Sequence, residues 1–139
     1  MKELNIGVVG YSWQKFDEAE ALRKLREAYD TLERQHPQEQ KAVISGLSDI
    51  GIPALAYREA VSRHWRTVGV ACSKAKQYAC FPVDETIIIG EEWGDESATF
   101  LDSLDVLVKV GGGKQAIAEM NAFQKTGKPV LEYQLPRQI

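Results

Sequence analysis

The residues best suited to chemistry lie between Asp105 and Glu119, in the run Asp-Val-Leu-Val-Lys-Val-Gly-Gly-Gly-Lys-Gln-Ala-Ile-Ala-Glu. Three consecutive glycines, Gly111, Gly112 and Gly113, leave no side chain over the turn, so a ligand can approach the main chain there. Apolar residues crowd Val106 to Val110 ahead of them, and Ala116, Ile117 and Met120 recur at helical spacing behind. The pattern is strand, tight turn, helix. The unpaired N–H groups and dipole of such a helix start favour an anion, most often a phosphate. Lys114 is placed to meet that phosphate, and Gln115 to hydrogen-bond a base, ribose or phosphate. Glu119 lies more than a turn into the helix, where a glutamate is either a solvated helix former or an acid–base group facing a crevice. On this reading a branched side chain at Gly112 would occupy the place of the anion.

A single glycine turn makes a site only if the fold brings other loops beside it. Leu4 to Val9 reads as a first strand running into Gly10-Tyr11-Ser12, followed by a helix carrying Phe16, Ala19, Leu22, Leu25, Tyr29 and Leu32. Ala42 to Ser45 is a second strand, with a turn from Gly46 to Gly51 and a helix from about Pro53 to Arg63. Thr67 to Ala71 is a third strand. Thr86 to Ile89 is a fourth, fully apolar and ending at Gly90. Lys74 to Tyr78 between them is a loop or a single helical turn. A brief helix at Ser97 to Leu104 leads into the fifth strand, and Gly127 and Pro129 stop the last helix before a sixth strand around Val130 and Leu131. The tail from Gln134 to Ile139 is expected to pack on a neighbour. This alternation predicts an α/β fold: a single-domain Rossmann-like three-layer sandwich over residues 1–139, with a mostly parallel sheet and helices on both faces. Right-handed crossovers then place the turns after strands one, two, four and five on the carboxyl edge, which adds Gly10, Tyr11, Ser12, Ser45, Gly46 and Gly51 to the ligand-binding candidates.

Composition narrows the partners. A balance of 17 basic against 20 acidic residues, formally -3, argues against a nucleic-acid footprint or an anionic membrane surface. No apolar run approaches the roughly 20 residues of a membrane span, and no charged-then-apolar leader opens the sequence, so the expectation is a cytoplasmic protein. Cys72 and Cys80 form no Cys-x-x-Cys pair, and His36 and His64 are the only histidines, which argues against zinc. Both cysteines read as small, partly buried hydrophobes, and His36 as an exposed loop residue. Arg58, Arg63, His64, Trp65 and Arg66 cluster at the end of a helix, where cations complement the dipole. Glu91, Glu92, Asp95 and Glu96 surround Trp93 and Gly94 in a loop that is solvated surface or, beside a phosphate, a holder of Mg2+; no metal ligand is assigned.

The glycine run departs from two familiar phosphate motifs. Gly113-Lys114 is followed by Gln115 where a P-loop needs Ser or Thr, and the leading glycine is absent. Gly111 to Ala116 satisfies G-x-G-x-x-A, with Glu132 about 20 residues on as a ribose-binding acid would be. A dinucleotide domain, however, normally opens with this turn, and here a single strand follows it.

Read together, the turns resemble the Rossmann-like superfamily that includes the LOG (Lonely Guy) cytokinin-activating phosphoribohydrolases, the lysine decarboxylase-like proteins and the SLOG-type nucleotide-binding proteins. Gly10-Tyr11-Ser12 is similar to that family's Gly-Ser-Ser turn, and Gly46 to Pro53 to its Gly-Gly-Gly-x-x-Gly-Leu-Met turn. Gly111 to Glu119 resembles Pro-Gly-Gly-x-Gly-Thr-x-x-Glu, with Gly111 in place of the proline, Gln115 of the third glycine and Ala116 of the threonine. The resemblance implies a nucleotide site with a monophosphate on the glycine turns, in a homodimer or higher homo-oligomer. For the hydrolases it implies a catalytic glutamate, here Glu119, working with an arginine upstream of the glycine turn. That position is Glu96 in this chain, so the arginine's role is not carried over. Three readings follow: a binding or sensing protein for a nucleotide or related phosphorylated molecule, an N-glycosidic-bond-cleaving enzyme using Glu119, and a scaffold subunit with a degenerate pocket.

Overall fold

Six runs rich in valine, isoleucine and leucine pair side by side, every neighbouring pair parallel, into a sheet of order β4-β3-β2-β1-β5-β6. The strands are β1 (Glu3–Gly10), β2 (Gln40–Ser45), β3 (Arg66–Ala71), β4 (Glu85–Ile88), β5 (Val106–Val110) and β6 (Val130–Tyr133) in a computed structural model that describes residues 2–138. The helices are α1 (Glu18–Gln35), α2 (Gly51–Ser62), α3 (Ser97–Asp102) and α4 (Lys114–Gln124), and the β3–β4 connection carries a 3-10 turn at Ser73–Gln77. The chain winds outward from β1 to β4, then returns to lay β5 against the other side of β1. The direction of winding reverses between β1 and β5, and in open α/β sheets that reversal opens a crevice at the carboxyl ends of the strands.

Alternation along the strands divides the core between two helical layers. Ile6, Val8, Val43, Val106, Val108 and Val110 face α1 and α2, which contribute Leu25, Tyr29, Ile52 and Tyr57. Val9, Ile44, Val68 and Leu107 face α3 and α4, which supply Phe100, Met120 and Phe123. Helix α1 begins where Asp17 accepts a hydrogen bond from Glu20 N–H at 3.1 Å, an N-cap that satisfies one of the helix's unpaired donors. Its buried stripe of Ala21, Leu25, Ala28, Tyr29 and Leu32 keeps the spacing that brings residues three and four apart onto one face. Among the described residues no helix is long and apolar enough to cross a membrane.

The expected parallel α/β sandwich is found, with every strand pair parallel. Several finer expectations are corrected. The fourth strand, read as fully apolar, lies on the edge of the sheet, paired with β3 alone, so Glu85 and Thr86 are exposed and Ile87 and Ile88 half-buried. Cys72 is fully buried, whereas Cys80 is exposed in the loop before β4. His36 is half-buried, with Nδ1 3.4 Å from Glu39. The tail folds onto its own chain: Leu135 is buried, Tyr11 Oη–H donates to its carbonyl at 2.9 Å, and Gln138 N–H donates to Lys15 O at 2.8 Å. Ile139 lies outside the described residues.

The basic and aromatic cluster at the end of α2 is a clamp between helices. Arg63 reaches Glu59 at 2.9 Å on its own helix and Asp30 at 2.9 Å and Glu33 at 2.6 Å on α1, while its guanidinium sits 5.5 Å from the ring centres of both Tyr29 and Trp65. The flat ion pairs here and stacks at once, as lysine could not. Glu132 has a comparable structural partner in Lys109 Nζ, 3.4 Å away across β5 and β6, and does not line the crevice that a ribose-binding acid would face.

Candidate functional site

The crevice at the β1–β5 reversal is a cleft of about 370 Å3. That lies at the lower end of the range for small-molecule sites. Its walls come from the carboxyl ends of β1, β2 and β3 and from the segments that follow the first five strands, including Gly10, Ser12 and Trp13, then Ser45 and Gly46, Ala71 and Ala75, Trp93 and Glu96, and Gly113 to Ala116 with Glu119.

Helix α4 presents its start to this space. Gly113 is its N-cap and has no side chain to offer. The first helical hydrogen bond runs from Ile117 N–H to Gly113 O at 3.1 Å, so the N–H groups of Lys114, Gln115 and Ala116 precede the ladder. A Cβ added to Gly113 would meet only Gln14 Nε2, at 3.7 Å, so the approach to these donors is open. The other glycine turn is different. Ile52 N–H at the start of α2 donates to Tyr11 O at 2.8 Å, and the next residue is Pro53, which has no donor. The α2 start is therefore occupied by the chain itself.

The candidate residues accordingly divide. Gly10, Ser12, Ser45, Gly46, Gly113, Lys114, Gln115 and Glu119 line the cleft, while Tyr11, Gly51, Gly111 and Gly112 stand behind it. Tyr11 stacks on Phe16 at 6.0 Å, and a Cβ on Gly111 would strike the Tyr11 ring at 2.5 Å. Gly112 has φ +112°, and a Cβ there would lie 2.6 Å from the Ala116 methyl and 3.3 Å from Gly10 Cα. The space over Gly112 is thus the packing of the turn itself. The space over Gly113, by contrast, is open. Ser45 lines the wall with its hydroxyl already donated to Val8 O at 2.7 Å. Behind it Tyr57 Oη–H is shared between Gly46 O at 3.1 Å and Val68 O at 2.8 Å and accepts from Ser45 N–H at 3.1 Å, fixing the turn after β2.

Two carboxylates face the same cleft. Glu96 is buried and accepts from Gly94 N–H at 3.1 Å. Glu119 is pushed up to about 7, first by burial and then by the negative charge of Glu96, with a hydrogen bond from Ser97 opposing the shift. The remaining acids of that loop are turned elsewhere. Asp95 accepts from Glu91 and Glu92 N–H at 3.1 and 3.0 Å, and Glu92 pairs with Lys74. Among the described residues no three acidic, histidine or cysteine side chains gather to hold a cation.

The sequence reading missed the aromatic rim. Trp13, Tyr78 and Trp93 come from three separate segments, with ring centres 5.5 Å apart for the first pair and 6.1 Å for the second, and Trp13 and Trp93 line the cleft. The available signal was a tryptophan in each of two loops at the carboxyl edge, one next to Ser12 and one inside the acidic run.

The strand order, the reversal beside β1 and the open glycine turn define a Rossmann-like fold with a cleft at the switch point. No protein-family model and no curated relative matches the sequence. Solved structures do. The molybdenum cofactor carrier protein of Chlamydomonas reinhardtii matches with TM-score 0.74 at 24% identity, over 94% of this chain and 76% of its own. The molybdenum cofactor binding protein of the phototrophic bacterium Rippkaea orientalis gives 0.76 at 22%, over 95% and 77%. The structural-genomics target TM1055 gives 0.71 at 25%, over 94% and 72%. The carrier protein and TM1055 belong to the LOG/SLOG Rossmann-like superfamily, and this chain has the fold of that superfamily.

Proposed function

We propose that the chain binds a nucleotide or related phosphorylated small molecule in the switch-point cleft, as a binding, sensing or carrying protein. The observation that supports this most is the uncovered start of α4, where the N–H groups of residues 114–116 and the Lys114 side chain meet an open space. The names of two similar structures, a carrier and a binding protein for the molybdenum cofactor, agree with such a role. The cleft is lined by Lys114 and no arginine, so phosphate recognition falls to main-chain donors. A thermal-shift screen of nucleoside monophosphates, dinucleotides and sugar phosphates, with and without Mg2+, tests the reading. A ligand at 100 times its dissociation constant is expected to add about 2.7 kcal/mol of stability. Gly113→Val is expected to keep the fold, since its Cβ has room, and to lose the ligand's effect because the branched side chain stands before the α4 donors. An undiminished shift in that variant would remove the assignment. Assembly as a homodimer belongs to the same reading and is measured by sedimentation.

One observation favours a second reading, cleavage of an N-glycosidic bond. A glutamate raised to about 7 beside another carboxylate is suited to give or take a proton at neutral pH. Incubation with nucleoside monophosphates should then release free base, and Glu119→Gln should abolish the release. No release from any of them would leave binding as the whole activity.

A further inference from the structure

We infer that Trp13, Tyr78 and Trp93 form a subsite for the planar heteroaromatic ring of the ligand whose anionic end meets the start of α4. The inference rests on the reading above and narrows it to phosphorylated molecules that carry such a ring. Each of the three side chains is far more exposed than a large apolar group in a packed protein needs to be, at 67% for Trp13, 47% for Tyr78 and 52% for Trp93. They are not scattered. Trp13 follows β1, Tyr78 closes the 3-10 turn after β3, and Trp93 follows β4, so the fold gathers residues distant in sequence onto one rim. A clustered and exposed apolar patch of this kind marks a binding surface rather than ordinary surface composition.

The geometry of the rings points the same way. Trp13 and Tyr78 meet at 64° and Tyr78 and Trp93 at 47°, so none of the three lies flat upon another. Elsewhere in the chain Tyr57 and Phe81 stack at 28° and 5.1 Å, which is how a ring pair with no outside partner closes its faces here. The rim rings keep π-face free for a flat guest. The rim is also continuous with the phosphate end. Trp13 and Trp93 line the same cleft as Gly113 to Ala116, and Gln14, next to Trp13, reaches over Gly113. Glu96 and Glu119 line the same cleft, hydrogen-bonding groups suited to the edge of a heterocycle. The volume of about 370 Å3 suits one ring and one phosphate better than two nucleotides joined.

The test compares AMP, UMP and FMN with ribose 5-phosphate and inorganic phosphate by calorimetry, and follows tryptophan emission. The chain has three tryptophans, and Trp65 lies against Tyr29 in the α1–α2 clamp at the opposite edge of the sheet, where it serves as an internal reference. At least one of the three ring-bearing monophosphates is expected to bind about tenfold or more tighter than ribose 5-phosphate and to change the emission, the scale of one base–aromatic stack. In Trp13→Ala/Trp93→Ala, which alters two exposed side chains and should fold, that advantage and the emission change are expected to disappear while ribose 5-phosphate binds as before. Equal binding of the ring-bearing and ring-free phosphates, or unchanged affinity in the double variant, would overturn the subsite and leave the phosphate reading intact. Failure of every one of the five probes to bind would overturn both.

Discussion

Gly51→Ala is expected to destabilise the protein by roughly 4 kcal/mol, the combined scale of a left-handed backbone forced on a residue with a Cβ and of an overpacked contact that cannot relax. Gly51 has φ +62°, and a Cβ there would lie 2.3 Å from Tyr11 O and 2.7 Å from Ser12 Cα and O. These are main-chain atoms of the loop after β1. The same Tyr11 O accepts the hydrogen bond from Ile52 N–H at 2.8 Å, which ties the loop to the helix start. No side chain can swing aside. The loop must move or the helix start must unwind, and either displaces Ser12 and Trp13 from the cleft wall. Gly46→Ala provides the control, because a Cβ at Gly46 would meet nothing within 4 Å. Urea midpoints with unchanged slopes would measure both. A Gly51 variant as stable as the Gly46 variant would show that the loop is free to shift.

The second large effect is a dependence of stability on pH centred on Glu119. Its carboxyl is raised from 4.5 to about 7 in the folded protein. An acid whose pKa rises on folding binds its proton more tightly in the native state, so the native state holds more protons than the unfolded chain between those two values. Stability therefore falls as pH rises from about 4.5 to about 7 and levels off above. Each pH unit across that window is worth about 1.4 kcal/mol, which bounds the loss at about 3 kcal/mol, with solvent in the cleft reducing it. Glu119→Gln should abolish this slope and be more stable than the parent at pH 8. Denaturation curves at pH 5 and pH 8 on both proteins decide it, and parallel pH profiles would show that the carboxyl is solvated. Glu96→Gln should shift the midpoint downward, since removing a neighbouring negative charge eases ionisation of Glu119.

Much of this architecture was legible from periodicity. Val106–Val110 before three glycines is found as a buried strand, and of Ala116, Ile117 and Met120 behind them the first and last are buried on the inner face of α4 while Ile117 is exposed. Lateral order was not legible. Thr86–Ile89 reads as a fully apolar strand and is found at the sheet's edge, because strand order is set by long-range pairing that no local window contains. The turns show the same limit at finer scale. A glycine marks a place where a Cβ is excluded, but not whether ligand or chain excludes it. At Gly51, Gly111 and Gly112 the neighbours are Tyr11, Ser12, Ala116 and Gly10 from the protein itself, whereas at Gly113 the space is open. The aromatic rim escaped for the opposite reason: residues 13, 78 and 93 have no spacing to notice, and only the crossovers bring them together.

Because the chain plugs the start of α2 with its own Tyr11 carbonyl and leaves the start of α4 bare, the electron-poor donors along the cleft come from one helix start, while Glu96 and Glu119 line the same space. The groove is thereby given a polarity. A guest with negative charge at one extremity would find its complement at a single place, so its orientation would be decided on entry by where that charge is neutralised.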